Sequence, residues 1–308
     1  MEILMTQSNV PLSTADWTIM KVIQWAEPYL AKYSIEFPRL NIEYFLAKLL
    51  NYRRIDLYVN YDQPLTSKEL AAVKSMVRQR VQGKPLQYIV GEIDFYNISL
   101  TVNQDVLIPR PETELLVDAV LNYLHSSYNG ACMSILELGT GSGNIAVALA
   151  KNFPDCIVYA CDVSADALAV AKENAVRNEV TDRIIFFQAD MRNEWNRTSD
   201  MLFDCIVSNP PYIPESDKDE LPRDVVEFEP HVSLFASGDG TEFHKRIIDY
   251  FGQWLKEGGK IYMEIGIRQA QKVRYFFEQA GYADIVIDLD HQEIQRMVHA
   301  MKRKVTHG

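Results

Sequence analysis

The segment Ser208-Asn209-Pro210-Pro211-Tyr212-Ile213-Pro214 is the most chemically specific in the chain. Two successive prolines fix two φ angles and remove two N–H donors, so the loop is stiff and offers carbonyl oxygens without competing donors. Such a loop suits a planar nitrogen, that of an amide or an aromatic amine, whose delocalised lone pair is a weak nucleophile. If the Asn209 side-chain oxygen and the Pro210 carbonyl each accept one N–H, the NH2 group is held with its lone pair toward an electrophile. As the new bond forms the nitrogen turns positive, and the same two oxygens stabilise that charge without an obligatory general base. Pro211 keeps the loop rigid, and Tyr212 stacks against the planar group and sets its depth. The plainer reading of these residues is a strand-ending turn with a packed tyrosine.

A second constellation lies upstream. Glu137-Leu138-Gly139-Thr140-Gly141-Ser142-Gly143 follows an apolar strand and opens a helix carrying Ile145, Ala148 and Leu149. Its glycines allow a tight turn and close approach of backbone to a ligand. The spacing is Gly-x-Gly-x-Gly, with Asn at position 144, and not the dinucleotide Gly-x-Gly-x-x-Gly. Asp162 ends the next strand 19 positions after Gly143, where an acid accepts both ribose hydroxyls of an adenosine. Its alternative role is to cap the helix at 165–178, which Ser164 can do as well. Asp190-Met191 ends a third strand, where the carboxylate can meet an adenine amino group and the methionine can pack on the ring. Glu137 either anchors the amino group of a ligand or accepts N–H groups of its own loop.

The elements that position these residues follow from periodicity. From about Ser13 to Gly83 the pattern is helical, with Ile42, Phe45, Leu46, Leu49 and Leu50 on one face. Thr66 and Glu69 form a capping box for a helix that turns Leu70, Val73, Val77 and Val81 inward and stops at Gly83. Alternation in Asn97-Ile98-Ser99-Leu100-Thr101-Val102 then predicts a half-buried strand. Residues 1–85 are therefore expected to be a helical bundle, 86–110 a β connector and 111–308 an α/β domain, in line with about 150 residues per domain. Strands are predicted near 134–138, 157–162, 184–188, 203–208, 260–265, 285–289 and 294–300. Their alternation with helices predicts a mostly parallel sheet covered on both faces, and the last two strands an antiparallel hairpin at its edge.

Composition narrows the function classes. Hydrophobic residues make up 47% and charged residues 24% of the 308, which excludes a disordered or collagen-like chain. The net charge of -11 opposes indiscriminate binding to phosphate backbones. Cys132, Cys156, Cys161 and Cys205 show no Cys-x-x-Cys spacing, and the six histidines make no nucleophile or ligand pattern, so no metal is expected. Cys156, Cys161 and Cys205 sit in or beside apolar runs and are expected as buried reduced thiols. No run approaches the roughly 18 apolar residues of a bilayer span, and Met1-Glu2-Ile3-Leu4 lacks a signal-peptide start, so a cytoplasmic setting is expected.

The order of glycine loop, Asp162 and Asp190 resembles the class I methyltransferases that use S-adenosylmethionine, over roughly residues 134–301. That resemblance implies a Rossmann-like seven-stranded mixed sheet, S-adenosylmethionine held by Glu137, Gly139, Thr140, Gly141, Ser142, Gly143, Asp162, Asp190, Met191 and Asn209, and S-adenosylhomocysteine as product. The electrophile facing Asn209 is then a sulfonium methyl. Asn-Pro-Pro-Tyr is similar to the amino-methyltransferase signature, found in enzymes acting on DNA adenine, RNA guanine and protein glutamine. Leu107-Ile108-Pro109-Arg110-Pro111-Glu112-Thr113-Glu114, Phe228-Glu229-Pro230, Ser237-Gly238-Asp239-Gly240 and Gly83-Lys84-Pro85-Leu86-Gln87-Tyr88 extend the resemblance to the HemK/PrmC family of release factor glutamine methyltransferases along nearly the whole chain. The family implies methylation of the side-chain amide nitrogen (N5) of the glutamine in the Gly-Gly-Gln loop of a peptide chain release factor. The helical domain would hold that protein, with no nucleic-acid or membrane partner. Met191 departs from members that carry an aromatic residue there, as does the C-terminal strand pair. The competing readings are a nucleic-acid amino-methyltransferase, a ribosomal-protein glutamine methyltransferase, which the Arg110 to Glu114 block fits less well, and a non-catalytic protein-binding module.

Overall fold

The computed structural model describes residues 17–195 and 201–304. The expectations resting on Met1 to Leu4, on the start of helical periodicity at Ser13 and on His307 lie outside the described residues. Backbone contacts divide the chain into one unit ending at Val90 and a second beginning at Gly91.

The first unit is built of helices α1 (Ile19–Lys32), α2 (Pro38–Leu50), α3 (Arg54–Val59), α4 (Ser67–Val81) and α5 (Leu86–Val90). The Thr18 hydroxyl caps α1 by accepting the Lys21 N–H. Ile42, Phe45 and Leu46 of α2 are fully buried against Ile19, Ile23 and Leu30 of α1, with Leu49 and Leu50 half-buried beside them. Each such apolar side chain contributes roughly 1.5–3 kcal/mol, which is what makes the short bundle fold. The expected capping box is present: Thr66 Oγ1 accepts the Glu69 N–H, and the Glu69 carboxylate accepts the Thr66 N–H. Val73 and Val77 of α4 are buried. Residues 86–90 are a helical turn and not extended, because the alternation that marks a strand begins only after Gly91.

The second unit opens with an antiparallel hairpin of β1 (Glu92–Phe95) and β2 (Ile98–Thr101). Its turn residues Tyr96 and Asn97 have φ of 45° and 59°, the left-handed geometry that matches strand twist in tight hairpins. There follow α6 (Thr113–Ser127), β3 (Met133–Leu138), α7 (Asn144–Asn152), β4 (Cys156–Asp162), α8 (Ala165–Arg177), β5 (Ile184–Gln188) and β6 (Phe203–Ser208). After these come β7 (Ile213–Pro214), α9 (Arg223–Phe228), α10 (His231–Leu234), β8 (Phe235–Ala236), α11 (Glu242–Asp249), β9 (Leu255–Glu264), α12 (Ala270–Gln279), β10 (Ala283–Leu289) and β11 (Gln295–Met301).

The main sheet has the order β10-β11-β9-β6-β3-β4-β5. Strands β9, β6, β3, β4 and β5 are parallel, and β11 is antiparallel to both β9 and β10. This is the expected seven-stranded mixed sheet. The C-terminal hairpin forms as expected, although of its two strands β11 lies inside the sheet and only β10 is an edge strand. β9 begins at Leu255, five residues before the predicted start at 260, because Glu257-Gly258-Gly259 reads as a turn but is an irregularity of the β6–β9 ladder, with Gly258 at φ 77°. The two-residue pair of β7 and β8 has no periodicity to betray it.

Side chains alternate across the sheet. Ile135, Val158, Ala160, Cys205 and Val207 pack with α6, α7 and the β1–β2 hairpin. Leu136, Leu138, Cys161, Ile206 and Met263 pack with α11 and α12. Cys156, Cys161 and Cys205 are buried free thiols, and Cys132 is exposed. Among the described residues no helix is long and apolar enough to cross a membrane.

Candidate active site

Strand order reverses between β3 and β6, and open α/β sheets bind ligands at the carboxyl ends of the strands beside such a reversal. There the structure opens a crevice between the glycine loop and the segment that follows β6. It is lined by Gly139, Thr140, Gly141, Ser142, Asp162, Asp190, Met191, Asn209 and Pro211 among the expected residues, and also by Arg110, Thr113, Val232 and Phe243. Glu137, Gly143, Pro210 and Tyr212 are not among its lining residues.

The loop 139–143 turns from β3 into α7 through Gly139, Gly141 and Gly143 at φ of 76°, 52° and 79°. At Gly143 an added Cβ would come within 3.1 Å of Ala171 Cβ on α8, so the glycine is a packing requirement as well as a turn. At Gly141 an added Cβ would meet nothing within 4 Å; that side of the loop faces open space. The loop is tied down from below. Gly139 N–H and Thr140 N–H both donate to the Cys161 carbonyl, at 3.0 and 2.9 Å. Buried Asn174 on α8 donates to the Ser142 and Thr101 carbonyls, each at 2.9 Å.

Glu137 is fully buried and accepts the Thr140 hydroxyl at 2.7 Å. That contact supports the loop, while the buried Oε1 has no hydrogen-bond partner among the described residues. Burial pushes its carboxyl up to about 8, with the Thr140 hydroxyl opposing that rise. Asp162 Oδ2 accepts the Gly141 N–H at 2.8 Å and Oδ1 the Ser164 N–H at 2.9 Å, while Ser164 caps α8 by accepting the Ala167 N–H. The capping role therefore falls to Ser164, and Asp162 bridges the first two loops at the crevice. Burial raises its carboxyl, and the backbone N–H groups of Ser164 and Gly141 counteract. Asp190 accepts the Arg192 N–H at 2.9 Å and pairs with the Arg192 guanidinium. Met191 reaches over the loop, with Cε 3.5 Å from where a Gly139 Cβ would be.

Across the crevice, Asn209 follows β6. Its Nδ2 donates to Thr113 Oγ1 at 3.1 Å, and the Thr113 hydroxyl donates to Glu264 Oε2 at 2.6 Å. The Tyr212 hydroxyl donates to Glu264 Oε1 at 3.1 Å. Burial drives the Tyr212 hydroxyl and the Glu264 carboxyl upward, with the Thr113 and Tyr212 hydroxyls holding the carboxyl down. The loop backbone is gripped by Gln269, whose Nε2 donates to the Tyr212 carbonyl at 2.8 Å and the Asp239 carbonyl at 3.1 Å. Gly240 sits so close that an added Cβ would be 2.1 Å from the Tyr212 carbonyl oxygen.

Three residues of this site escaped sequence reasoning. Glu264 ends β9 at the same sheet edge as Asp162, and an acid closing a parallel strand was the signal available. Thr113 lies inside the Arg110 to Glu114 block without a role assigned to it. Gln269 offers no signal, since its amide matters only through two carbonyls far away in the chain. Arg110 and Glu229, from two separately noted blocks, meet here as an ion pair.

A family model described as the PrmC N-terminal domain matches residues 21–91, and one described as the methyltransferase small domain matches residues 113–227. The release factor glutamine methyltransferase of Geobacter sulfurreducens is 38% identical over 283 residues, spanning 92% of this chain and 96% of the relative. The protein of the same description from Chlorobaculum tepidum is 38% identical over 288 residues, spanning 92% and 97%. Among solved structures, the hMettl16 catalytic domain in complex with a MAT2A 3'UTR hairpin matches with a TM-score of 0.55 at 16% identity, over 78% of this chain and 84% of that one. That is a likeness of fold.

Proposed function

The chain belongs to the release factor glutamine methyltransferase family, and on that premise we infer that its crevice moves a methyl group from S-adenosylmethionine to the side-chain amide nitrogen of a release-factor glutamine. The finer assignment, to the N5 of the glutamine in a Gly-Gly-Gln loop and to a cytoplasmic setting, is part of the same proposal.

The residues present fit the cofactor. Gly141 leaves open space on its crevice side, and the buried Ser142 hydroxyl has no hydrogen-bond partner among the described residues. When bound, S-adenosylmethionine supplies an electrophilic sulfonium methyl. Asp162 would accept the ribose hydroxyls, Asp190 an adenine N–H, and Met191 would pack on the ring. Thr140 and Gly139 complete the loop, held from behind by Glu137 and Gly143.

The orientation of Asn209 carries the reading. Its Nδ2 is committed to Thr113, and among the described residues its Oδ1 accepts no hydrogen bond. A free acceptor at the crevice wall is what a glutamine NH2 group needs. Asn209 Oδ1 and the Pro210 carbonyl would each take one N–H and stabilise the positive charge that develops on nitrogen. The alkylated amide is acidic enough to lose its proton to water. Tyr212, held by its hydroxyl bond to Glu264, would stack on the substrate amide, with Pro211 stiffening the loop.

A folded protein partner needs surface beyond the crevice, about 1,200–2,000 Å² in total for a specific pair. We assign that surface to the helical unit, which exposes Phe37, Ile55, Val59 and Tyr61. Mass spectrometry of a release factor after incubation with enzyme and labelled cofactor tests the reading. One methyl on the factor's glutamine is expected, with an isolated Gly-Gly-Gln peptide a poor substrate. Faster labelling of nucleic acid under matched salt would overturn the substrate and favour the nucleic-acid alternative.

A further inference from the structure

We propose that Glu264, acting through Thr113, is a positioning residue that decides which end of the Asn209 amide faces the crevice. The inference rests on the reading of Asn209 given above and extends it to residues outside the Asn-Pro-Pro-Tyr loop.

Three separate elements converge here: Glu264 closes β9, Thr113 opens α6 and Asn209 follows β6. Glu264 and Thr113 are 3% and 1% exposed, so water does not substitute for either partner. An amide's two ends are alike in shape, and only the hydrogen-bond network tells them apart. An ionised carboxylate can only accept. Glu264 takes the Thr113 hydroxyl on one oxygen and the Tyr212 hydroxyl on the other. Burial and the neighbouring Glu112 charge oppose ionisation, while those two hydroxyls, each seated on one carboxylate oxygen, and Arg296 support it. Thr113 has a single hydroxyl hydrogen, and Glu264 claims it. Toward Asn209, Thr113 Oγ1 can therefore act only as acceptor, and the amide must turn its Nδ2 inward. Oδ1 is left for the crevice. The flipped amide would set two oxygens against each other and present N–H donors to a substrate that itself brings N–H donors.

The same logic says what breaks the relay. Glu264→Gln introduces an NH2 group of nearly the same shape. Turned toward Thr113, it donates to the hydroxyl oxygen, releases the hydroxyl hydrogen toward Asn209 and removes the bias. Thr113→Val deletes the accepting oxygen, and Thr113→Ser restores it.

The test uses the full chain, intact release factor and saturating cofactor, reading single-turnover methyl transfer and calorimetric cofactor affinity. Thr113→Val and Glu264→Gln are expected to slow transfer by about tenfold or more while cofactor affinity changes by less than about threefold. Thr113→Ser should recover most of the loss. In an Asn209→Ala background, Thr113→Val should add less than about twofold, because a residue acting through Asn209 has nothing left to act on. Equal rates for the Val and Ser variants, or full additivity in the Asn209→Ala background, overturn the proposal even if Glu264→Gln fails to fold. A normal rate in Asn209→Ala alone would instead overturn the reading of Asn209 on which it rests.

Discussion

Arg110 and Glu229, 119 residues apart, are joined by a 2.6 Å hydrogen bond between guanidinium and carboxylate at the rim of the crevice. The Ile108 N–H donates to the other carboxylate oxygen at 3.3 Å. The segment entering α6 is thus fastened to the segment that follows the Asn-Pro-Pro-Tyr loop. Burial pushes the Glu229 carboxyl up, and the Arg110 charge holds it down.

The two partners are not equivalent, since the Glu229 side chain is 1% exposed and that of Arg110 33%. Arg110→Ala strands a buried carboxylate, at about 2–3 kcal/mol because water reaches part of the pair. Glu229→Gln should cost less, because the freed guanidinium can turn to solvent. Thermal unfolding should show a drop of roughly 4–12 °C for Arg110→Ala and a smaller one for Glu229→Gln. The opposite order would mean that the pair does not act as described.

Asp162→Ala removes an acceptor proposed for two ribose hydroxyls and also frees the Gly141 N–H that the carboxylate now holds. A charge-assisted bond contributes about 1.5–3 kcal/mol, so cofactor affinity should weaken by roughly tenfold to a hundredfold or more. Asp162→Asn, keeping one acceptor oxygen, should fall between. Unchanged calorimetric affinity in a folded Asp162→Ala protein would falsify the ribose role.

Asn209→Ala should leave the fold largely intact and reduce turnover by about a hundredfold, the scale for one preorganised transition-state contact. Cofactor affinity should fall far less. Single-turnover kinetics make the comparison, and near-normal rates would remove Asn209 from the transfer step.

Gly240→Ala places a Cβ against the Tyr212 carbonyl and the Gln269 amide, at a φ of 82° that is itself strained for alanine. Backbone cannot yield as a flexible side chain can, so the Asn-Pro-Pro-Tyr loop must move. Methyl transfer is expected to fall about tenfold or more, since small misplacements at a reacting centre are expensive, while the glycine loop and cofactor affinity survive. A variant with parental kcat would show that the loop tolerates the shift.

The Glu137 carboxyl titrates at about 8 in the folded protein against an ordinary value of 4.5, because of burial. Between those two pH values the folded state binds more protons at this site than the unfolded chain does, so its contribution to stability declines as pH rises and levels off above about 8. Glu137→Gln has no such titration. Its melting temperature should fall less than the parent's between pH 6 and pH 8.5, and parallel curves for the two proteins would contradict the buried neutral acid.

Much of this architecture is written in local pattern. β5 and β6 coincide with the predicted strands: Ile184 to Gln188 begins directly after the polar Thr181-Asp182-Arg183, and Phe203 to Ser208 stops at Asn209-Pro210. Asp162, Asp190 and Asn209 stand at the predicted strand ends because a parallel sheet brings all its carboxyl ends to one edge. The choice between Asp162 and Ser164 as helix cap is settled by side-chain direction, which periodicity does not carry. Glu264 depends on Thr113, 151 positions away, and no window along the chain brings such a pair together. Short pieces such as β7, α9 and α10 contain too few residues to show a period at all.

The placement of β11 between β9 and β10 also bears on how the chain is made. Translation proceeds from β9 to β10 and only then to β11, yet β11 is the strand that covers β9 and the sole sheet neighbour of β10 among the described residues. From Glu264 to Gln295 is 31 residues, about two to six seconds of synthesis at roughly 5–20 residues per second. Throughout that interval the nascent polypeptide carries β9 with an open hydrogen-bonding edge, the kind of edge that recruits foreign strands.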